Sequence, residues 1–115
     1  MDRQTFNDGV VCIYGVQNAA QEGDLPREQL VRKETLRVHR RTVGMRRYYA
    51  AMQANEQIDA VLRCPYRVNV CAQDIAKWNG KQYRVTLVQY PEDVAPPVMD
   101  LTLTKVEQDA AITDD

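Results

Sequence analysis

Short apolar alternation, broken repeatedly by turn residues, is the feature that most constrains this chain. Leu36 and Val38 alternate with Thr35, Arg37, His39 and Arg41. Ile58, Ala60, Leu62 and Cys64 fall on one side of Glu56–Cys64, and Tyr83, Val85 and Leu87 on one side of Gln82–Tyr90. Met99, Leu101 and Leu103 alternate with Asp100, Thr102 and Thr104. A period of two puts apolar side chains on one face of a strand and polar ones on the other. The run GVVCIYGV over Gly9–Val16 is short, β-branched and bounded by polar residues, so it predicts a further strand. Between two such runs stands Trp78-Asn79-Gly80-Lys81. Asn-Gly accepts the positive φ values of a type I′ turn and predicts a two-residue hairpin.

The remaining segments punctuate this pattern. Residues 17–31 are polar, contain Gly23 and Pro26, and predict a long loop after the first strand. Met45, Tyr48, Tyr49 and Met52 recur at helical spacing, so one short helix is expected over Met45–Asn55, with Thr42 as a possible N-cap. Residues 68–76 read as a short extended piece, and Pro91–Pro97 as a stiff connection before the last strand, Val98–Val106. Strands of alternating polarity lying close in sequence favour antiparallel pairing. The expected fold is a mainly-β single domain, 1–115, with an ordered core at about 9–107 and an acidic, frayed tail at 108–115. Its architecture is expected to be a small antiparallel β-barrel of five to six strands, since closure removes exposed edges.

Chemistry is sparse. A chain of 115 residues holds one core. Its net charge of -1 is not that of a free nucleic-acid binder or of a disordered acidic segment. No apolar run is long enough to span a bilayer, and Met1–Gly9 has no apolar stretch of the kind a secretory signal carries. Cys12, Cys64 and Cys71 are odd in number and unevenly spaced, which suits reduced thiols in a cytoplasm and not a disulfide framework. The one histidine, His39, sits between Arg37 and Arg41, which disfavour its charged form and hinder it as a base; an exposed strand histidine is the expectation. A zinc site would have to recruit carboxylates. The glycines are scattered and make no phosphate loop. Asp59, Asp74, Glu92 and Asp93 fall at turns or wet faces, where solvated roles are expected. No catalytic, cofactor or metal residue is assigned, and the chain is read as a binding protein and not an enzyme.

The strongest electrostatic feature is Arg32, Lys33, Arg37, Arg40, Arg41, Arg46 and Arg47, opposed only by Glu34. It is either a solvated strand face and helix start or a surface that meets phosphates or an acidic partner. Arginine predominates, and its planar fork suits interfaces. Tyr48, Tyr49 and Trp78 are candidates for stacking on bases, but adjacent helix positions point about 100° apart, so packing is the expected use. The candidate interface is therefore Arg37, Arg40, Arg41, Arg46, Arg47, Tyr48 and Tyr49.

The stretch RTVGMRRYYAAMQANEQIDAVLRCP, residues 41–65, resembles the middle of a small protein of siphophage-like morphogenesis clusters. NGKQYRVTLVQYPEDVAPPVMDLTLTKVE, residues 79–107, is similar to the closing part of that group. The resemblance is to the tailed-phage head-closure family, also called head–tail connector, head-completion or stopper proteins. It implies a small β-barrel at the virion neck, made in the host bacterial cytoplasm and assembled as a closed ring of about twelve copies. It implies a portal or adaptor above, a tail terminator or tail tube protein below, and packaged double-stranded DNA in the channel, held without sequence specificity. It implies no membrane and no small-molecule substrate. By position, the family's channel loop matches residues 17–31, with Glu22, Gly23, Asp24, Leu25, Pro26 and Arg27 at its centre. Glu22 and Asp24 would repel phosphate, which suits a slippery lumen better than a tight grip. The alternatives are another neck or tail-junction protein, either adaptor or tail terminator, and a small nucleic-acid-binding β-barrel.

Overall fold

The computed structural model describes residues 2–3, 6–18, 28–42 and 57–106. Among these, nine strands and no helix are present: β1 (Asp2–Arg3), β2 (Val10–Asn18), β3 (Glu28–Arg37), β4 (His39–Arg41), β5 (Ala60–Pro65), β6 (Ile75–Trp78), β7 (Lys81–Gln89), β8 (Val94–Ala95) and β9 (Val98–Lys105). The expected helix over 45–55 lies outside the described residues. The fold is mainly β, as the alternation predicts. Seven strands form one antiparallel sheet in the order β3-β2-β6-β7-β9-β5-β4, while β1 and β8 pair in parallel as a small separate sheet.

Strand pairing does not close this sheet into a barrel: its order ends at β3 and β4. Yet only Val38 separates these two strands in sequence, so one continuous segment supplies both ends of the sheet. Val38 is fully buried. It donates its N–H to the Gly9 carbonyl at 3.0 Å and accepts the Asp8 N–H at 2.9 Å. The inward faces of β2, β3, β5, β6, β7 and β9 supply the core, with Val11, Ile13, Leu36, Leu62, Val85, Met99, Leu101 and Leu103 among its residues. A second cluster joins Tyr14, Leu30 and Ile75, with Cys12 and Val106 against it.

The hairpin at Asn79-Gly80 is as expected. Trp78 pairs with Lys81, and φ is 53° at Asn79 and 77° at Gly80, the two positive values a type I′ turn requires. The long loop over 17–31 is not. Gln17 and Asn18 continue β2, Glu28–Val31 belong to β3, and the ladder reaches Asn18 opposite Glu28. Polar side chains do not prevent strand pairing when the backbone ladder supplies the hydrogen bonds. The extended piece at 68–76 is instead two turns, Val68–Asn69 and Ala72–Gln73, leading into β6. The Pro91–Pro97 connection contains β8.

Two bulges displace side chains from their expected faces. Val85 faces Leu103 and Leu87 faces Thr102, so Thr86 is an extra residue in β7. The bulge reverses the phase: Leu87, expected beside Tyr83 and Val85, is 44% exposed, and Val88 packs on the core in its place. In β3, Glu34 faces Ile13 and Arg32 faces Tyr14, leaving Lys33 as the extra residue. β9 departs most from its pattern. Its supposed wet face is also buried, with Asp100 and Thr102 nearly as inaccessible as Leu101 and Leu103.

Candidate interface surface

The candidate surface begins at Val38, where the chain passes from β3 to β4. Arg37 ends β3, and Arg40 and Arg41 lie on β4; all three are exposed. Arg46, Arg47, Tyr48 and Tyr49 lie outside the described residues, as do Glu22, Gly23, Asp24, Leu25, Pro26 and Arg27 of the proposed channel loop.

Asp8 organises this region. Its Oδ2 accepts the backbone N–H of Arg40 at 2.8 Å and stands 3.1 Å from Nδ1 of His39. The edge strand β4 thus has a carboxylate satisfying one of its outward N–H groups, which is how an edge avoids pairing with another chain. His39 is half-exposed, as expected of a strand histidine, but its partner comes from the segment before β2 and not from its own strand. The Arg40 guanidinium lies 5.7 Å over the Trp78 ring. Trp78 itself is almost buried, stands 6.3 Å from the Tyr83 ring, and directs Nε1–H to the Asp8 carbonyl at 3.4 Å. Its ring is part of the core and its face is covered by Arg40, so it offers no platform for stacking a base.

Lys33 leaves the basic surface. The bulge directs it across the sheet, where Nζ lies 2.9 Å from both carboxylate oxygens of Asp74 and donates to the Asn69 carbonyl at 3.0 Å. Asp74 also accepts the Cys71 N–H at 2.9 Å, so this ion pair ties β3 to the turns before β6. Gly15 leaves room for the lysine, since a Cβ there would stand 2.8 Å from Lys33 Cε. Asp74, expected at a wet turn, is therefore buried and structural. Asp59 is likewise engaged: its Oδ2 accepts the Lys105 N–H at 2.6 Å and its Oδ1 an amide N–H of Gln57 at 2.9 Å.

The thiols divide by environment. Cys64 is fully buried in β5; burial, seconded by the nearby Asp100 charge, pushes its pKa up to about 12, against a smaller opposing effect of Arg67. Cys12 is half-buried and Cys71 exposed. Among the described residues, no three histidine, cysteine or carboxylate side chains cluster as a metal site would need. No described helix is long and apolar enough to cross a membrane.

Two features have no counterpart in the sequence reading. Arg63 and Asp100, opposite each other on β5 and β9, form a buried bidentate pair, Nε to Oδ1 at 2.8 Å and Nη2 to Oδ2 at 3.0 Å. Tyr66 and Tyr90 meet edge to face at 5.6 Å just past the ends of β5 and β7, both substantially exposed. For the first, the two charges were visible in the sequence, but not that they face each other across β5 and β9. The second needed the register between β5, β9 and β7. Neither a family model nor a curated protein matches this sequence.

Proposed function

We propose that this chain is a structural subunit of the tailed-phage neck, a head-closure or head–tail connector protein that works by binding and not by catalysis. The observation that carries the reading is the continuity of β3 and β4 through Val38. In a small barrel one bent strand can pair on both sides, so this continuity supports the reading, as do the hydrogen bonds of Asp8 and Gly9 with Val38 and of Asp8 with Arg40. A small antiparallel barrel with a long loop after the first strand is the architecture that the resemblance of residues 41–65 and 79–107 implies. In this reading the chain forms a ring below the portal or adaptor, surrounds packaged double-stranded DNA without reading its sequence, and offers a docking face to the tail.

Co-sedimentation of the purified protein with DNA-filled, tailless capsids tests this, scored by electron microscopy and DNA retention. The expected result is stoichiometric binding at one vertex with improved retention. Absence of capsid binding would overturn it. A second reading, a nucleic-acid-binding barrel, is favoured by the exposed Arg37, Arg40 and Arg41. It predicts salt-dependent binding of naked DNA by the isolated chain, lost when these arginines are neutralised.

A further inference from the structure

All pairings in the seven-stranded sheet are antiparallel, so every strand terminus belongs to one of two ends. The start of β2, the end of β4, the start of β5, the Asn79-Gly80 turn and the end of β9 share one end. The end of β5, the turns before β6, the end of β7 and the start of β9 share the other. Exposed charge is uneven between them. The first end carries Arg40, Arg41, Lys81 and Lys105, all exposed. Its described acids, Asp8 and Asp59, are each committed to backbone N–H groups. The second end carries the Tyr66–Tyr90 pair, with Val68 beside it at 81% exposure, and the exposed Glu92 and Asp93 in the turn after Tyr90. Its one exposed arginine in these turns, Arg67, folds back to donate to the Tyr66 carbonyl at 2.7 Å.

We infer that these ends are the two halves of a head-to-tail contact, and that the occupant of the aromatic, acidic end is the basic end of a second copy of this chain. Tyrosine and arginine are enriched in protein interfaces relative to the rest of the surface. An exposed aromatic pair with a neighbouring valine is apolar surface that association covers. The two surfaces differ in kind, so the contact is heterologous, and a heterologous contact propagates from copy to copy, closing a ring where its rotation closes and extending as a filament where it does not. A polyanion would satisfy the basic end alone and leave the aromatic end uncovered. The inference rests on the neck reading only in making the closed ring the final product; the pairwise contact stands by itself.

Sedimentation velocity from micromolar to millimolar protein, at low and high salt, tests it with two charge variants. One is Arg41→Glu/Lys81→Glu. The other is Glu92→Lys/Asp93→Asn, asparagine being chosen because it tolerates the 62° φ of Asp93. The wild type is expected to self-associate in a salt-sensitive manner. Each variant is expected to weaken at least about tenfold, and an equimolar mixture of the two to recover association, because the reversed basic end of one then meets the reversed acidic end of the other. Circular dichroism establishes that each variant is folded. Wild type that stays monomeric, variants that associate as well as wild type, or a mixture no better than its components would overturn the inference. Duplex DNA binding by the basic end of a persistent monomer would also overturn it, and would assign that end to nucleic acid. Charge variants that load onto the capsid vertex at the wild-type copy number would sink the contact and leave the neck reading standing. Self-association without capsid binding would do the reverse.

Discussion

Breaking the Arg63–Asp100 pair is expected to be the most destabilising single polar change in the described sheet. Both side chains are about nine-tenths buried, and the guanidinium grips both carboxylate oxygens from the position directly opposite on the neighbouring strand. For unit charges about 4 Å apart, at an effective dielectric near 20, the Coulomb attraction is about 4 kcal/mol. Removing both charges from water costs a comparable amount, so the pair as a whole contributes little net stability. Removing one member is a different matter, because the survivor remains buried without its compensating charge. Asp100→Ala is therefore expected to cost about 3–5 kcal/mol, a large share of the stability of a domain this size. Arg63→Met/Asp100→Leu, which removes both charges and keeps the volume apolar, is expected to recover most of that loss. Urea unfolding of wild type, Asp100→Ala, Arg63→Met and the double variant completes the cycle. A loss below about 1 kcal/mol for Asp100→Ala, the figure typical of an exposed pair, would refute the argument. So would a double variant no more stable than the worse single one.

The remaining predictions concern single sites. Cys64 keeps its proton to about pH 12 in the folded chain but loses it at an ordinary thiol value once unfolded, so the folded state binds more protons between these limits. Stability should then fall as pH rises through this window, by up to about 1.4 kcal/mol per pH unit from this group. Cys64→Ala should show a shallower slope in alkaline denaturation, and an equal slope would discount the burial argument. In native protein a thiol reagent should label Cys71 quickly and Cys64 only on unfolding, as mass spectrometry of the labelled peptides will report. Thr102 buries an Oγ1 without a hydrogen-bond partner. Thr102→Val should therefore leave stability unchanged or raise it by about 1 kcal/mol; a loss above that, read from the denaturant midpoint, would imply a hydroxyl contact. Gly80→Val places a β-branched residue at a φ of 77° and should cost at least about 1 kcal/mol, whereas Gly80→Asn should cost less. Equal midpoints for these two variants would count against a type I′ turn.

Much of the fold is local and was legible. The Asn79-Gly80 turn follows from two adjacent residues that accept positive φ, and the strands around it from alternation over a few positions. The inward leucines and valines of β5 and β9 follow from the same pattern. Arg41 of β4 is exposed, as its position in the pattern predicted, and so is Arg40, which falls in phase with the buried Leu36 and Val38. A period-two rule assigns faces only while the phase holds. It failed at Thr86, where an inserted residue turned Leu87 outward, and at Lys33, which left the basic surface for Asp74. It failed again at Asp100 and Thr102, because alternation separates two faces without saying whether the polar one meets water.

By itself, then, the sequence determined that this chain builds antiparallel strands, where its tightest turn falls and which leucines and valines of β5 and β9 face inward. These depend on neighbours within a few residues, through backbone dihedral preference and hydrophobic periodicity. Tertiary structure alone decided that one segment supplies both outer strands of the sheet, that Asp8 meets His39 and Arg40, and that Arg63 is neutralised by Asp100. It also decided that Arg40, Arg41, Lys81 and Lys105 come to one end and the exposed Tyr66–Tyr90 pair to the other. Each of these joins residues tens of positions apart, and register, bulges and strand order, none of them local quantities, set which distant side chains become neighbours.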